Sequence, residues 1–209
     1  MRQWLLLGAG AAILLAGTVG AAVALRHRDS AIAVPAPSPY RGSVPPAGIR
    51  APEFNLRDYR GKNLTTRDLR GRVEVVSFVD SKCTQKCPIV TSVIALALRR
   101  LPSRTRREIV AVLISVNPNV DTPASIERFL TARRARALYY LVGSVQELRP
   151  VWKAYGVLPA VDTGNPDIHS SDVRIFDRKG IWVSTQHAGV DLTASNLDHD
   201  ISLALHGAG

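Results

Sequence analysis

Two predominantly apolar runs, Val73–Val79 and Ile109–Val116, enclose a stretch whose apolar residues recur with a helical period. Those periodic residues are Ile89, Val93, Ile94, Leu96, Ala97 and Leu101, with Pro88 placed for a first helical turn. Runs rich in Val and Ile, apolar at nearly every position, mark central strands covered on both faces. Two such strands joined through a helix lie parallel. The rest of the chain extends this frame. Glu53–Leu56 and Asn63–Thr66 flank Tyr59-Arg60-Gly61-Lys62 and read as a hairpin. Thr122-Pro123 opens a helix expected to reach Ala135, and Tyr139–Val142 is a short strand. Ser144 caps a helix through Tyr155, with Glu147 placed as in a capping box. Val173–Phe176 and Ile181–Thr185 flank Asp177-Arg178-Lys179-Gly180, a hairpin turn, and Asp191 to Leu205 closes the chain as a helix. The order predicts an α/β fold: a mixed central sheet with helices on both faces, the layout of a thioredoxin-like domain. Tyr155 and Trp182 are expected in its core.

Ahead of this domain, Met1-Arg2-Gln3 precede an apolar run from Trp4 to Leu25. That run is long enough to cross the hydrocarbon core as a helix, and longer than the apolar core of a cleaved signal peptide. An N-terminal transmembrane or signal helix is therefore expected over 1–28. An uncleaved, single-pass anchor is the first reading; Ala22-Val23-Ala24 resembles a cleavage site and would leave the domain secreted. Arg2 on one side and Arg26 and Arg28 on the other leave the positive-inside count near a tie. An extracytoplasmic domain at the cell membrane is expected all the same, because a Pro-rich spacer follows and an oxidising compartment suits a reactive cysteine pair. The spacer, 29–50, carries Pro35, Pro37, Pro39, Pro45 and Pro46 and is expected to be extended. The folded domain is expected over 51–209.

The formal net charge is +10 at pH 7, with local basic densities at Arg99–Arg107 and Arg133–Arg136. No aromatic residues interleave there, and no nucleic-acid reading module is visible, so nucleic acid is not an expected partner. Solvated helix faces are the plain reading of these densities; attraction to an acidic partner or anionic lipid is the other.

Only two cysteines occur, Cys83 and Cys87, spaced i, i+4. A framework of scattered structural disulfides is excluded, and so short a loop would add little stability. The local sequence Asp80-Ser81-Lys82-Cys83-Thr84-Gln85-Lys86-Cys87-Pro88 lies where a strand ends and a helix begins, a corner where ligands and catalytic groups gather in open α/β folds. Unpaired N–H groups at the helix start, with Lys82 and Lys86, are expected to lower a thiol's pKa. On a helix the spacing puts both sulfurs on one face, able to close a disulfide or hold one metal ion. Of the five histidines, His169 precedes the strand Val173–Phe176 in a loop that this topology turns toward the cysteine corner. His27 lies by the apolar run, and His187, His199 and His206 read as surface or strand-end residues. Two thiolates and an imidazole suit copper: soft sulfur favours Cu(I), and nitrogen helps to hold Cu(II).

The ordered motifs resemble the Sco (SenC) family, copper-binding thioredoxin-like factors of cytochrome c oxidase assembly. The resemblance spans roughly Phe54 to Leu205. It rests on the strand into Cys83-x-x-x-Cys87-Pro88, on Ser115-Val116-Asn117-Pro118 with Asp121-Thr122-Pro123, on Trp152-Lys153-Ala154-Tyr155-Gly156-Val157, and on Ile168-His169-Ser170-Ser171 leading to Phe176-Asp177-x-x-Gly180. It implies Cys83, Cys87 and His169 as copper ligands. It also implies, as partner, a copper-receiving oxidase subunit or its assembly factors, served by copper delivery or by reduction of the receiving cysteines. One departure stands out: many family members carry an acidic residue between the cysteines, and Thr84, Gln85 and Lys86 stand there in this chain.

The leading expectation is an extracytoplasmic copper metallochaperone. The alternative is a thiol-disulfide oxidoreductase in which Cys83 and Cys87 are the catalytic redox pair, with Cys83 attacking and Cys87 resolving. Peroxide reduction lacks a specific motif, and a non-catalytic interaction domain would leave both thiols idle.

Overall fold

The computed structural model describes residues 38–207. The hairpin forms as β1 (Asn55–Asp58) and β2 (Asn63–Thr65), followed by a single turn, α1 (Thr66–Leu69). The central unit is β3 (Val73–Val79), α2 (Lys86–Arg100), the short α3 (Ser103–Arg106) and β4 (Ile109–Ser115). Next come α4 (Pro123–Ala132), β5 (Tyr139–Val142), α5 (Val145–Ala154) and the turn α6 (Ala160–Thr163). The chain closes with β6 (Val173–Phe176), β7 (Trp182–Gln186) and α7 (Ala194–His206).

The strands make one seven-stranded sheet in the order β2-β1-β5-β4-β3-β6-β7. As the two apolar runs require, β3 and β4 pair in parallel along their whole length, and β5 adds a parallel neighbour to β4. The flanking pairs are antiparallel, which makes the sheet mixed. Strand alternation divides the core. Val73, Val75 and Val79 of β3 and Ile109, Ala111 and Leu113 of β4 face a cluster built on α2, α4 and α7. Val76 and Phe78, with Val110, Val112 and Ile114, face a second cluster that buries Leu148, Trp152 and Tyr155. Tyr155 is thus a core residue, and Trp182 packs at the margin of the same cluster. Both clusters lie within the compact unit Ser38–Gly209, which accordingly carries its own core.

Local chemistry sets the element ends. Ser144 and Glu147 close the expected capping box on α5. Thr122 caps α4 through the Ser125 N–H, with Pro123 in the first turn. That helix stops at Ala132 rather than Ala135, because Arg134 takes a left-handed conformation (φ 53°). The Ala135 N–H then returns to the Leu130 carbonyl at 2.9 Å, a six-to-one closure of the helix end. The last helix begins at Ala194, capped by Thr193, because the preceding residues coil around the His187 carbonyl, which accepts three N–H groups.

The spacer expected over 29–50 is not free along its whole length. Ser43 exchanges two 2.8 Å backbone hydrogen bonds with Thr185, and Arg50 bridges Ile181. The Asp200 carboxylate, fully buried on α7, accepts the Arg41 N–H at 2.8 Å and the Gly42 N–H at 3.0 Å. Glycine is required at Gly42, where a Cβ would sit 2.4 Å from Ser184 Oγ and 2.5 Å from the Thr185 carbonyl oxygen. A proline-rich segment builds no core, but its backbone can still satisfy the open edge of β7. The anchor expected over 1–28 and the first part of the spacer lie outside the described residues. Among the described residues no helix is long and apolar enough to cross a membrane.

Candidate metal centre

Cys83, Cys87 and His169 come together at the C-terminal end of β3, with one ligand atom from each within 4.8 Å of the others. All three are buried, His169 just so at 9% exposure. Among the described residues this is the only such group of three or more His, Cys, Asp and Glu side chains.

The loop after β3 is shaped from below by the motif that ends β4. Asp121 accepts the Ser81 N–H at 2.8 Å, the Ser115 hydroxyl at 2.5 Å and the Tyr140 hydroxyl at 2.8 Å. Asp80 folds back on its own loop, accepting the Lys82 N–H at 2.6 Å and the Asn117 side-chain amide at 2.8 Å. The Cys83 N–H returns to the Asp80 carbonyl at 3.2 Å. This cradle delivers Cys83 one turn ahead of α2, whose first turn holds Cys87 and Pro88.

The two thiols are not equivalent. The Cys87 N–H donates to Cys83 Sγ at 3.3 Å, so the free N–H expected to help the helix-start cysteine serves the other one. Cys83 is pulled down to about 5, first by the Cys87 thiol donating to it, against burial, and then by His169 and the Cys87 N–H. Cys87 is pushed far above the ordinary thiol range by the Cys83 thiolate and by burial. Lys82 and Lys86 are exposed and are not among the main causes of either shift.

His169 presents its Nε2 to Cys87 Sγ at 3.1 Å. Its Nδ1 lies 2.8 Å from the Ser170 carbonyl, which only accepts, so Nδ1 carries a proton and Nε2 is the atom placed to hold a metal. Burial disfavours the imidazolium, but Cys83, the Ser170 carbonyl and Asp80 together hold it above the ordinary histidine range. A metal ion would take that place and release the Nε2 proton. The histidine loop is itself fastened. Ser170 exchanges hydrogen bonds with the Leu158 backbone at 3.0 and 3.1 Å, and Thr163 Oγ1 donates to the Ile168 carbonyl at 2.8 Å. At its base Arg174 donates to Asp172 at 2.6 Å and lies 4.8 Å from the centre of the Trp182 ring.

Sequence reasoning missed Asp167. Its carboxylate accepts the N–H groups of Thr84 and Gln85 at 2.7 and 3.1 Å and the Thr84 hydroxyl at 3.0 Å. The acidic group absent between the cysteines is thus brought to them by the histidine loop. The only sequence signal was an acidic residue two positions before His169. His187 also comes closer than expected: it lines a 210 Å³ cavity with His169, Lys86 and Asp172. His199 binds Asp200 instead, at 3.0 Å.

Two soft sulfurs and one imidazole nitrogen, converging and buried, fit copper as a bound ion; Cu(I) accepts such a low-coordinate set.

Known proteins are similar to this chain in sequence and fold. Bradyrhizobium japonicum ScoI, solved with copper bound, is 27% identical, with a TM-score of 0.63 over 75% of this chain and all of that one. BsSco, described as a member of the Sco family of cytochrome c oxidase assembly proteins, shares the fold at 19% identity, with a TM-score of 0.63 over 74% of this chain and 94% of its own. A Stutzerimonas stutzeri relative whose name refers to copper binding is 31% identical over 54% of this chain. The chain spans about half the length of that relative (55%), and less of the next, a yeast mitochondrial SCO2 (34%). The family model described as SCO1/SenC matches residues 45–201, three quarters of the sequence and every residue of the Cys83–Cys87–His169 centre. The chain belongs to the SCO1/SenC family.

Proposed function

We propose that the protein binds one copper ion through Cys83, Cys87 and His169 and passes it to a recipient in cytochrome c oxidase assembly. The observation that carries this reading is the approach of His169 Nε2 to Cys87 Sγ at 3.1 Å, with all three ligand atoms within 4.8 Å. A redox pair needs two sulfurs; an imidazole fastened through Nδ1 and aimed at one of them is what a metal site needs. The names of the relatives support the same assignment. Membrane attachment through Trp4–Leu25, with the domain on the extracytoplasmic side, is part of the proposal and rests on the apolar run, the Pro-rich spacer after it and the reactive cysteine pair.

The surroundings suit transfer to a protein. Ile168, beside the histidine, is 54% exposed; Ile89, in the first turns of α2, is 51% exposed; Leu158, bonded to Ser170, is 49% exposed. Lys82 and Lys86, each next to one of the cysteines in sequence, are exposed as well. Apolar residues with a cationic rim fit a recipient that offers apolar side chains within an acidic rim.

The test is an anaerobic Cu(I) titration of the reduced protein against a competing chelator. Tight binding of one ion per chain is expected, weakened in His169→Ala and lost in Cys83→Ala and Cys87→Ala. Full loading of the cysteine variants would sink the reading.

The lowered pKa of Cys83 beside a protonated Cys87 supports a second reading, thiol-disulfide exchange. The Cys83 thiolate would attack a partner disulfide, and Cys87 would resolve the mixed disulfide. The Cys83–Cys87 bond forms, and both partner cysteines leave reduced. Reduction of a protein disulfide that survives His169→Ala, with weak copper binding indifferent to that change, would favour it.

A further inference from the structure

Far from the metal centre, at the N-terminal ends of β3 and β4, a cavity of about 400 Å³ opens between the end of α2, the α3 turn and the loop before β5. Five arginines line it: Arg72, Arg99, Arg106, Arg107 and Arg134. No acidic residue does. Among the described residues none of the five forms an ion pair, although neighbouring arginines do: Arg100 with Asp198, Arg136 with Glu127 and Arg178 with Glu108. Glu108, next to Arg107, is thus turned away to Arg178. The contacts the five do make leave donors over. Arg72 donates to the Asp68 carbonyl, Arg99 to the Arg134 carbonyl and Arg106 to Ser103 Oγ.

The floor is different in kind. Ala95, Leu98, Ile109 and Leu138, all buried members of the core cluster, line it. An anion site for an inorganic ion has no use for such a floor, and an apolar pocket for a neutral molecule has no use for five unpaired guanidinium groups. The volume lies in the range of small-molecule sites, about 300–1,000 Å³. A concave, cationic wall concentrates the field within it.

We infer that this cavity binds an amphiphilic organic anion: a carboxylate or phosphate held by the arginines, with an apolar chain on the floor. A fatty acid and the phosphate end of a lipid share this chemistry. An acidic protein segment is the competing occupant, and the hollow form of the site, with its apolar floor, favours a single small amphiphile over a broad acidic face. The site is independent of the cysteines, so its failure would leave the copper reading untouched.

The experiment titrates residues 38–209, in detergent-free buffer, with decanoate, decyl phosphate, decanol, inorganic phosphate and an oligoglutamate peptide, each below its aggregation limit. Calorimetry and thermal unfolding are the readouts, with the Arg106→Glu/Arg107→Glu variant alongside and Cu(I) binding as the check that the variant is folded. The expected result is one-to-one binding of decanoate or decyl phosphate, at least tenfold tighter than decanol or inorganic phosphate. It should raise Tm and weaken at least tenfold in the variant. The tighter of the two anions identifies the source as a fatty acid or a lipid phosphate. Binding of inorganic phosphate as tight as decyl phosphate, no binding of either amphiphile, or binding unchanged in the variant overturns the inference. Binding of oligoglutamate in preference to both amphiphiles overturns it in favour of a protein partner.

Discussion

Asp167 clasps Thr84: one carboxylate oxygen takes the Thr84 N–H at 2.7 Å and the other the Thr84 hydroxyl at 3.0 Å. The two residues belong to the two loops that supply the ligands. Asp167 stands two positions before His169, and Thr84 follows Cys83. The clasp therefore sets how far the imidazole lies from the sulfurs. Asp167→Asn is expected to keep the fold and lower Cu(I) affinity by about tenfold, the low end of losses from residues that orient ligands. Chelator competition measures the affinity, and hydrogen exchange at the Thr84 and Gln85 amides reads the clasp directly. Unchanged exchange and affinity in the variant would reduce Asp167 to a surface carboxylate.

The Cys83 thiolate is expected to form with a midpoint of about pH 5 in the metal-free protein, not near its ordinary 9. Because folding depresses this pKa, its contribution to stability is present above pH 9 and is lost as pH falls through about 5. Thiolate absorbance and the rate of alkylation by iodoacetamide measure the midpoint. Cys87→Ser is expected to shift it upward, since the donated thiol hydrogen bond is the largest cause of the depression. A midpoint near 8 in the unsubstituted protein would refute the asymmetry of the pair.

Glu74 lies in β3 with its side chain in the core and Oε2 without a hydrogen-bond partner. Burial raises its pKa from 4.5 to about 7; Arg72 opposes the rise and Asp177 adds to it. The stability linked to this group is fully present below pH 4.5 and is lost as pH rises through about 7. Glu74→Gln is expected to leave stability nearly unchanged at pH 4 and to stabilise the domain at pH 8 by up to roughly 3 kcal/mol. Urea unfolding at the two pH values decides it; equal effects at both would mean that Glu74 does not titrate in this range.

Asp200 joins α7, β7 and the strap that begins at Arg41. Beside the two strap N–H groups it accepts Ser184 Oγ at 2.6 Å and Gln186 Nε2 at 2.9 Å. Asp200→Ala is expected to cost about 3 kcal/mol, in the range for breaking a buried charged network. Gly42→Ala isolates the strap: its Cβ meets Ser184 and Thr185, so amide exchange at Ser43 and Thr185 should rise while β3 and β4 stay protected. Protection at Ser43 equal to that of the unsubstituted protein would show that the strap tolerates the clash.

Much of this was legible in the sequence, and the reasons are local. The strands β3 and β4 announce themselves because both faces are buried, so that only Glu74 and Ser77 in β3 and Ser115 in β4 interrupt the apolar runs. The α5 start is written in Ser144 and Glu147. The three candidate ligands, which the structure brings together, were marked out by residue type, by place in the strand order and by the family resemblance. What escaped depends on contacts between distant segments. Nothing near Asp200 shows that it will hold Arg41 and Gly42, and a proline-rich composition conceals a backbone that fits a sheet edge. The clasp of Asp167 joins residues 83 positions apart. The inequality of the thiols also needed coordinates, because which sulfur receives the Cys87 N–H is a matter of ångströms.

The strap fixes where the first described residues join the sheet. The antiparallel pairing of β6 with both β3 and β7 makes β7 run alongside β3 in the same direction, so Ser43, paired with Thr185, meets the sheet toward the end where the cysteines lie. Laying Arg41–Arg50 on that edge withdraws roughly 30 Å of chain, at about 3.4 Å per extended residue, from any leash formed by what precedes it. It also brings Arg41 to the end of the sheet that holds the cysteines rather than to the far end.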